Sequence, residues 1–307
     1  MYFPYLRGKQ FELLALKESA VRLKSDKVFP IIEPVKLVTK PLITTIKKLN
    51  QHSIHPYIVI NPEVGELTDQ TPTQLITTLD SNNLSYTSCI RVNNVNVTST
   101  LNIAKQFISD GVDFALYIQE DVSVSLNVYM QNSVINVLRD PSSYPAQFVT
   151  NVPRSVILRD SFPSKPRNAD YLSTPAFFSD AHLTYNNGTL VNQIGFGDFL
   201  TVGEKWSKGG GPAFVVAIHI SYLNNYMYVK HCISVTDSDK QSNPGGKFLE
   251  ALDSLIIFAN NPPQLVNQNT LGFQGFLDLH QRNHFPGLGV PKKLSMMHHL
   301  EILSDIL

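Results

Sequence analysis

The chain has little of what would commit it to one chemistry at sight. Of its 307 residues only two are cysteine, one is tryptophan and five are methionine. Two isolated cysteines, Cys89 and Cys232, cannot build a disulfide scaffold or a four-thiolate zinc site, and they read as buried thiols in a reducing compartment. Charge is also sparse: Asp, Glu, Lys and Arg make up 16% of the chain, and 25 acidic residues balance 25 basic ones. Zero net charge supplies no overall field for DNA, RNA or an anionic membrane, which argues against direct nucleic-acid binding. No apolar run approaches the roughly 18 residues needed to cross a bilayer. The segment from Met1 to Arg7 lacks a basic leader followed by an apolar stretch, so the expectation is a cytoplasmic protein with no membrane partner. The nucleophile elbow, the paired Cys-x-x-Cys and the dinucleotide fingerprint are missing too, which leaves serine-hydrolase, zinc-ribbon and Rossmann readings without their required residues.

What is present is a series of short apolar runs that each break off in a polar or charged residue. Tyr2–Leu6 ends at Arg7, Val28–Ile32 at Glu33, Tyr57–Ile60 at Asn61, and Ser88–Ile90 at Arg91. Phe114–Ile118 ends at Gln119, Val134–Leu138 at Arg139-Asp140, Val156–Leu158 at Arg159-Asp160, and Ile194–Phe196 shortly before Asp198. Between most of them lie stretches with helical spacing of apolar residues. Alternation of strand and helix favours a parallel sheet, and eight such units can close into a (β/α)8 TIM-like barrel with all strand ends on one rim.

The helical signals are strongest over Gln10–Lys24, from Pro41, from Thr71-Pro72 with Thr71 as N-cap, and over Ser99–Asp110 stopped by Gly111. They are weakest over Asp121–Met130, where Val122, Val124 and Val128 are β-branched. From Gly209 the texture changes. Ala213–Ser221 and Tyr226–Ser234 read as an antiparallel hairpin, either inserted after the eighth strand or supplying the last barrel strand itself. Gly246–Asn260, Thr270–Asn283 and Lys293–Ile306 read as closing helices. The whole chain, 1–307, is expected to be one barrel domain, with the β/α units in 1–208, the hairpin in 209–235 and the C-terminal helices in 246–307.

In such a barrel the polar strand ends converge, and they are the candidate site. Glu33, Asp160 and Asp198 are the candidate catalytic carboxylates, and the same three could supply oxygen to a hard cation such as Mg2+. Arg7, Lys9, Asn61, Arg91, Gln119, Arg139, Asp140 and Arg159 are candidates for holding an anionic ligand. Lys208 and Gly210 join them from the Lys205–Gly211 loop, whose glycines would let backbone amides approach a phosphate; a plain linker into the hairpin is the alternative. The echo Val137-Leu138-Arg139-Asp140 and Ile157-Leu158-Arg159-Asp160 suggests that two strands present an Arg-Asp pair at one rim, unless each aspartate only caps the turn that follows it. His280 and His284 have helical i, i+4 spacing but no metalloprotease glutamate. His219 and His231 fall on opposite faces of the hairpin if Asn224-Asn225 is its two-residue turn.

The residues Tyr2-Phe3-Pro4-Tyr5-Leu6-Arg7-Gly8-Lys9-Gln10-Phe11-Glu12-Leu13, Ile31-Ile32-Glu33-Pro34-Val35, Gly197-Asp198-Phe199, Gly209-Gly210-Gly211-Pro212-Ala213, Phe285-Pro286-Gly287-Leu288-Gly289 and His298-His299-Leu300-Glu301 carry a resemblance. On them the chain resembles, nearly end to end, a bacterial family known by a locus-tag name and related to the phage "beta protein" group. The resemblance implies an intracellular bacterial or mobile-element protein of a phage-defence or toxin–antitoxin-like module, beside a small nuclease-like partner. It assigns no catalytic residue. The combined expectation is a TIM-barrel-like subunit with an anion-recognising rim, acting, if it is an enzyme, as a hydrolase or lyase on a phosphorylated or nucleotide-like small molecule. The alternative is a non-catalytic subunit that binds or regulates a partner nuclease through the hairpin and C-terminal helices.

Overall fold

The computed structural model describes residues 1–187, 190, 192–209, 211 and 213–307. Each apolar run of the series forms a strand: β1 (Tyr5–Arg7), β2 (Ile31–Glu33), β3 (Tyr57–Val59), β4 (Thr87–Val92), β5 (Phe114–Ile118), β6 (Asn136–Arg139) and β7 (Ser155–Arg159). After these, β8 (Ala176–Ser179) leaves the sheet, and β9 (Gln193–Asp198) completes it as the eighth parallel strand, in the order β1-β2-β3-β4-β5-β6-β7-β9. The N-terminal residues bring its two edges together. Tyr2 bridges to Val28 on one side and to Phe196 on the other, the Phe3 N–H donates to Phe196 O at 2.8 Å, and the Phe196 N–H donates to Met1 O at 3.0 Å. The sheet is thereby nearly closed into a TIM-like barrel.

Side chains alternate between the two faces of each strand. One set fills the barrel: Phe3, Tyr5, Ile31, Val59, Cys89, Ala115, Tyr117, Val137, Val156 and Leu158 are buried together there, with Phe199 at the upper end. β9 contributes almost nothing to this filling because its inward positions are Gly195 and Gly197, paired with Val156 and Leu158. A Cβ on Gly195 would run into the Phe3 ring and one on Gly197 into the Phe3 carbonyl, so the bare backbone of β9 lets the N-terminal strand lie against it.

Outside the barrel, α1 (Gln10–Ser19), α2 (Lys40–Gln51), α3 (Pro72–Asp80) and α4 (Val97–Asp110) follow the first four strands. The Gln74 side chain accepts from the Thr71 N–H at 3.1 Å at the start of α3, and Gly111 ends α4 in the left-handed conformation (φ 66°), as expected. The layer then thins to α5 (Asn127–Asn132), α6 (Ala146–Asn151) and α7 (Ala181–Thr184). The β-branched segment after β5 forms helix only at its end.

β10 (Ala217–Asn224) and β11 (Tyr226–Ile233) form the hairpin, which is an insertion after the eighth barrel strand; with β8 they make a separate antiparallel sheet ordered β10-β11-β8. α8 (Pro244–Asn260), α9 (Leu271–Gln281) and α10 (Gly289–Ile306) close the chain. One continuous apolar cluster joins α1 and α2 to this sheet and these helices, through Leu16, Ile46, Ile220, Leu252, Phe276 and Leu300. The apolar faces considered for docking are therefore largely internal, Tyr222 being 5% exposed. Among the described residues no helix is long and apolar enough to cross a membrane.

Gly197→Ala should lower stability by about 3 kcal/mol, the upper end of the usual cost of overpacking, because its methyl meets main chain rather than a movable side chain. Urea unfolding of the two proteins measures it, and a loss below about 0.5 kcal/mol would show that the β1–β9 seam tolerates the added group.

A mixed-charge cleft at the barrel mouth

The inward positions continue past the apolar filling and become polar at the C-terminal ends of the strands. Arg7 follows Tyr5, Glu33 follows Ile31, Arg91 follows Cys89, Gln119 follows Tyr117, Arg139 follows Val137 and Asp160 follows Leu158, each two residues on. All six line a cleft of about 410 Å³ whose floor is Tyr5, Tyr117 and Phe199. Loop residues Glu63, Glu204 and Lys205 complete its wall. Four cations (Arg7, Arg91, Arg139, Lys205) face four carboxylates (Glu33, Glu63, Asp160, Glu204), so the mouth is as balanced in charge as the whole chain.

Glu33 is the hub. It is buried, and its carboxylate takes the Arg91 Nη1 and the Glu63 backbone N–H on Oε1, both at 3.0 Å, and the Tyr5 hydroxyl on Oε2 at 3.0 Å, with Arg7 Nε at 3.6 Å. Burial, with Glu33 beside it, holds the Tyr5 hydroxyl pKa well above its usual value, so Tyr5 keeps the proton it donates. A carboxylate so engaged orients the two arginines, and this is where the structure places the Glu33 expected as a candidate base.

The arginines are less completely used. Arg91, with its side chain 4% exposed, meets Glu33 and Glu63 through Nη1 alone, at 3.0 Å each. Its Nε and that of Arg7 are buried without a hydrogen-bond partner among the described residues. The Arg7 guanidinium lies 5.8 Å from the Phe199 ring and 5.9 Å from the Trp206 ring, and Lys9 Nζ stands 4.4 Å from Trp206. Lys9 thus sits at the edge of the mouth, over the aromatic ring, outside the lining. Behind it the Glu12 carboxyl is pushed up to about 8 by burial, against the pull of Lys9 and Arg7.

Asp160 differs from the other acids. Among the described residues it has no ion-pair partner, and its Oδ2 accepts the Glu204 backbone N–H at 3.1 Å. Partial burial raises its pKa, while the backbone donors Glu204 and Phe162 offset part of that. Glu204 is also raised by burial but is held by Arg139, whose Nε and Nη2 reach its two oxygens at 2.7 and 3.0 Å. Among the described residues Asp160 is therefore a rim carboxyl with a raised pKa and no ion pair, on which Arg7 acts only weakly.

The register of β6 against β7 explains the Arg-Asp echo. Arg139 pairs with Leu158, one residue out of phase with the repeated letters. Arg139 and Asp160 consequently point inward, whereas Asp140 and Arg159 point outward. The Asp140 carboxylate accepts from the Ser142 N–H and hydroxyl at 3.2 and 2.7 Å, the capping role, and borders a second, larger cleft; Arg159 lies in a different depression, outside the mouth. Asn61 clamps two strands, accepting from the Arg91 N–H at 2.8 Å and donating to its carbonyl at 2.7 Å. Gln119 accepts from Asn93 at 3.1 Å and lines both clefts. Lys208 is exposed beyond the lining, where Lys205 stands instead, and Gly210 lies outside the described residues.

Asp198 corrects the expected rim set. It shares the outward face of β9 with Phe196 because the inward positions are Gly195 and Gly197. Its carboxylate is buried, accepting from the Tyr2 hydroxyl at 2.8 Å and the Leu200 N–H at 2.9 Å, with His299 Nε2 at 3.2 Å. His299 Nδ1 in turn meets Ser221 Oγ at 3.0 Å, and His298 Nε2 meets the Ser221 carbonyl at 2.8 Å. The order Asp-His-Ser has the connectivity of an acyl-transfer triad, but Ser221 and His299 are 0% exposed and line neither the mouth nor the cleft beside it, so it fastens α10 and the hairpin to the barrel. The expected Glu33, Asp160 and Asp198 oxygens do not converge on one point, and no group of three or more His, Cys, Asp or Glu side chains among the described residues could share a metal ion.

The histidines bring a second correction. Asn224 pairs with Tyr226, leaving Asn225 (φ 60°) alone at the turn, and this sets His219 directly opposite His231. Their Nδ1 atoms are 2.8 Å apart, so one ring donates and the other accepts. Phe162 and Tyr171 pack against both rings. Burial lowers the two to about 3 and about 4, with the second ring and Lys292 acting on His219, and Lys230 and Lys165 on His231. His280 is held by Asp253 at 3.0 Å, and His284 lies beyond the end of α9.

Comparison with known proteins gives no match to any protein-family model and none to a curated protein.

Two measurements check this account. Glu33→Gln should destabilise the fold by about 3 kcal/mol, since it leaves Arg91 buried with half its counter-charge, whereas Asp160→Asn should stay within about 0.5 kcal/mol of the parent; equal losses in urea unfolding would refute the hub. Replacing both hairpin histidines by leucine should cost about 1 kcal/mol at pH 7.5. Because the folded rings stay neutral while the unfolded ones take up protons below about pH 6.5, the parent's advantage should shrink as the pH falls from 6.5 to 4.5. A constant difference would mean that the pair is protonated in the fold.

Proposed function

We propose that the barrel mouth is a binding site for a small anionic molecule, held by Arg7 and Arg91, with Asp160 as the group that exchanges a proton with it. The observation that carries this reading is two largely buried guanidiniums at the mouth that Glu33 does not fully satisfy: the Arg91 Nε makes no hydrogen bond among the described residues, and the Arg7 Nε stands 3.6 Å from Glu33, beyond hydrogen-bond distance. An unmatched buried donor costs on the order of 1–3 kcal/mol, which an acceptor entering the cleft would recover. A carboxylate or phosphate offers acceptors in the geometry that a guanidinium edge matches. The C-terminal end of the strands is where barrel enzymes place their sites. Phosphorylated small molecules are the first ligand class to consider, and hydrolysis or elimination is the chemistry to which a carboxyl with a raised pKa contributes by giving or taking a proton. A place in a phage-defence module beside a nuclease-like partner remains what the family resemblance proposes for the protein as a whole.

Trp206, the sole tryptophan, stands at the edge of this mouth and makes its occupancy visible. Inorganic phosphate should change the tryptophan emission in a saturable, salt-sensitive way, and Arg7→Met should weaken that binding by at least about tenfold. Emission that responds identically in the parent and in Arg7→Met would reject the site. If the site is catalytic, Asp160→Asn abolishes turnover while the fold persists, which makes it a cleaner test of chemistry than any change at Glu33.

A further inference from the structure

The mouth continues outward into a second cleft of about 900 Å³ that shares Glu63, Gln119, Arg139, Asp160 and Glu204 with the first. Its charge is one-sided. Glu63, Glu120, Asp121, Asp140, Asp160 and Glu204 line it against a single cation, Arg139, among the described lining residues. That cation is already engaged by Glu204 through two hydrogen bonds, and Glu63 by Arg91. Glu120, Asp121, Asp140 and Asp160 have no ion-pair partner among the described residues. An anion seated deep in the mouth therefore has behind it the buried, incompletely partnered Arg91 and Arg7, and in front of it a wall of uncompensated carboxylates.

From this polarity we infer that the ligand is bipolar, a small molecule with a phosphate or carboxylate at one end and an amine at the other, entering anion first. The inference rests on the anion-binding reading of the mouth and narrows it. A ligand with a second anionic group, such as a bisphosphate or an oligonucleotide, would set that group among four carboxylates in a cleft whose described lining residues include no cation but the engaged Arg139. A neutral tail would leave them facing nothing. An ammonium donates up to three hydrogen bonds, and Asp160 and Asp121 are the nearest partners not already tied to a cation or a cap. The inner cleft, with four cations among its lining, then takes the anionic end, and the acidic outer cleft takes the ammonium.

The test uses the full-length protein, tryptophan emission, and matched probe pairs: 2-aminoethyl, 3-aminopropyl and 4-aminobutyl phosphate against ethyl, propyl and butyl phosphate, at pH 7.5. At one chain length or more the amino compound should bind on the order of tenfold tighter than its alkyl partner, the difference that one hydrogen bond to a charged group makes. That ratio should collapse towards one in Asp160→Asn or in Asp160→Asn/Asp121→Asn, with melting curves confirming that the variants fold. If at every length the alkyl phosphate binds as well as the amino compound, the bipolar assignment is wrong while the anion site stands. If no phosphate binds and Arg7→Met changes nothing, the anion site itself is wrong. Tighter binding of 1,3-propanediol bisphosphate than of any aminoalkyl phosphate would overturn the assignment in favour of a dianionic ligand.

Discussion

Everything at the mouth depends on keeping one negative charge where water cannot reach it. Glu33 ends β2 with its carboxylate inside the barrel, and a bare carboxylate there would carry a desolvation cost that several kcal/mol of compensation must offset. The compensation comes from separate parts of the chain: Tyr5 and Arg7 of β1, Arg91 of β4 and the Glu63 backbone of the loop after β3. Tyr5 and Arg7 share a strand, but the other partners come from different segments of the chain, so the barrel must close in the right register before all of them can meet Glu33. The charge is a demanding condition on folding, and the two arginines it immobilises are the groups that face the cleft. Stability and site are thus coupled through a single side chain.

The same coupling explains what could be read from the residues beforehand and what could not. Strand positions were legible because a strand buried on both faces is a run of apolar residues, and each run such as Phe114–Ile118 became a barrel strand. The identity of the rim was legible for the same reason, since the first polar residue after such a run stands at the mouth. Which face that residue occupies was not legible, because a one-residue change in phase moves a side chain to the other side of the sheet. Asp198 was misassigned on this count, and the clue lay in its neighbours: Gly195 and Gly197 mark the inward face of β9 and leave Asp198 with Phe196 outside. Asp140 and Arg159 fail likewise, through a register that only the β6–β7 pairing reveals. Tracing alternation inward from Val137 and Leu158 would have chosen Arg139 and Asp160.

The hairpin shows the phase problem at its smallest. Two asparagines in sequence suggest a two-residue turn, but a single residue with positive φ, Asn225, does the work, and the His219–His231 pair appears where the longer turn forbids it. Loop residues were the other blind spot. Glu63, Glu204 and Trp206 reach the mouth from segments whose path is set by tertiary contacts, Glu204 by its backbone bond to Asp160 and its side-chain bonds to Arg139. Lys205 and Trp206 belong to a segment singled out for its lysines and glycines. The lysine that lines the cleft is nevertheless Lys205, not Lys208, because the chain turns away into the hairpin before the later residue can reach the mouth.

The outward turn of Asp198 also accounts for the rest of the molecule. The barrel's outer layer is thin after β5, with α5, α6 and α7 together shorter than α10, and the apolar outside of the last strands needs another cover. The hairpin sheet and the C-terminal helices provide it, and polar contacts fix their position where apolar packing alone would allow sliding. Asp198 takes Tyr2 from the N-terminal strand and His299 from α10, and His299 reaches Ser221 of β10. Three elements far apart in sequence are thereby pinned at the seam where the barrel closes. A hydrogen-bonded group with no route to solvent specifies a geometry, so the carboxylate that the pattern of strand ends made look reactive is a fastening, while Asp160 lines the cleft without an ion pair among the described residues.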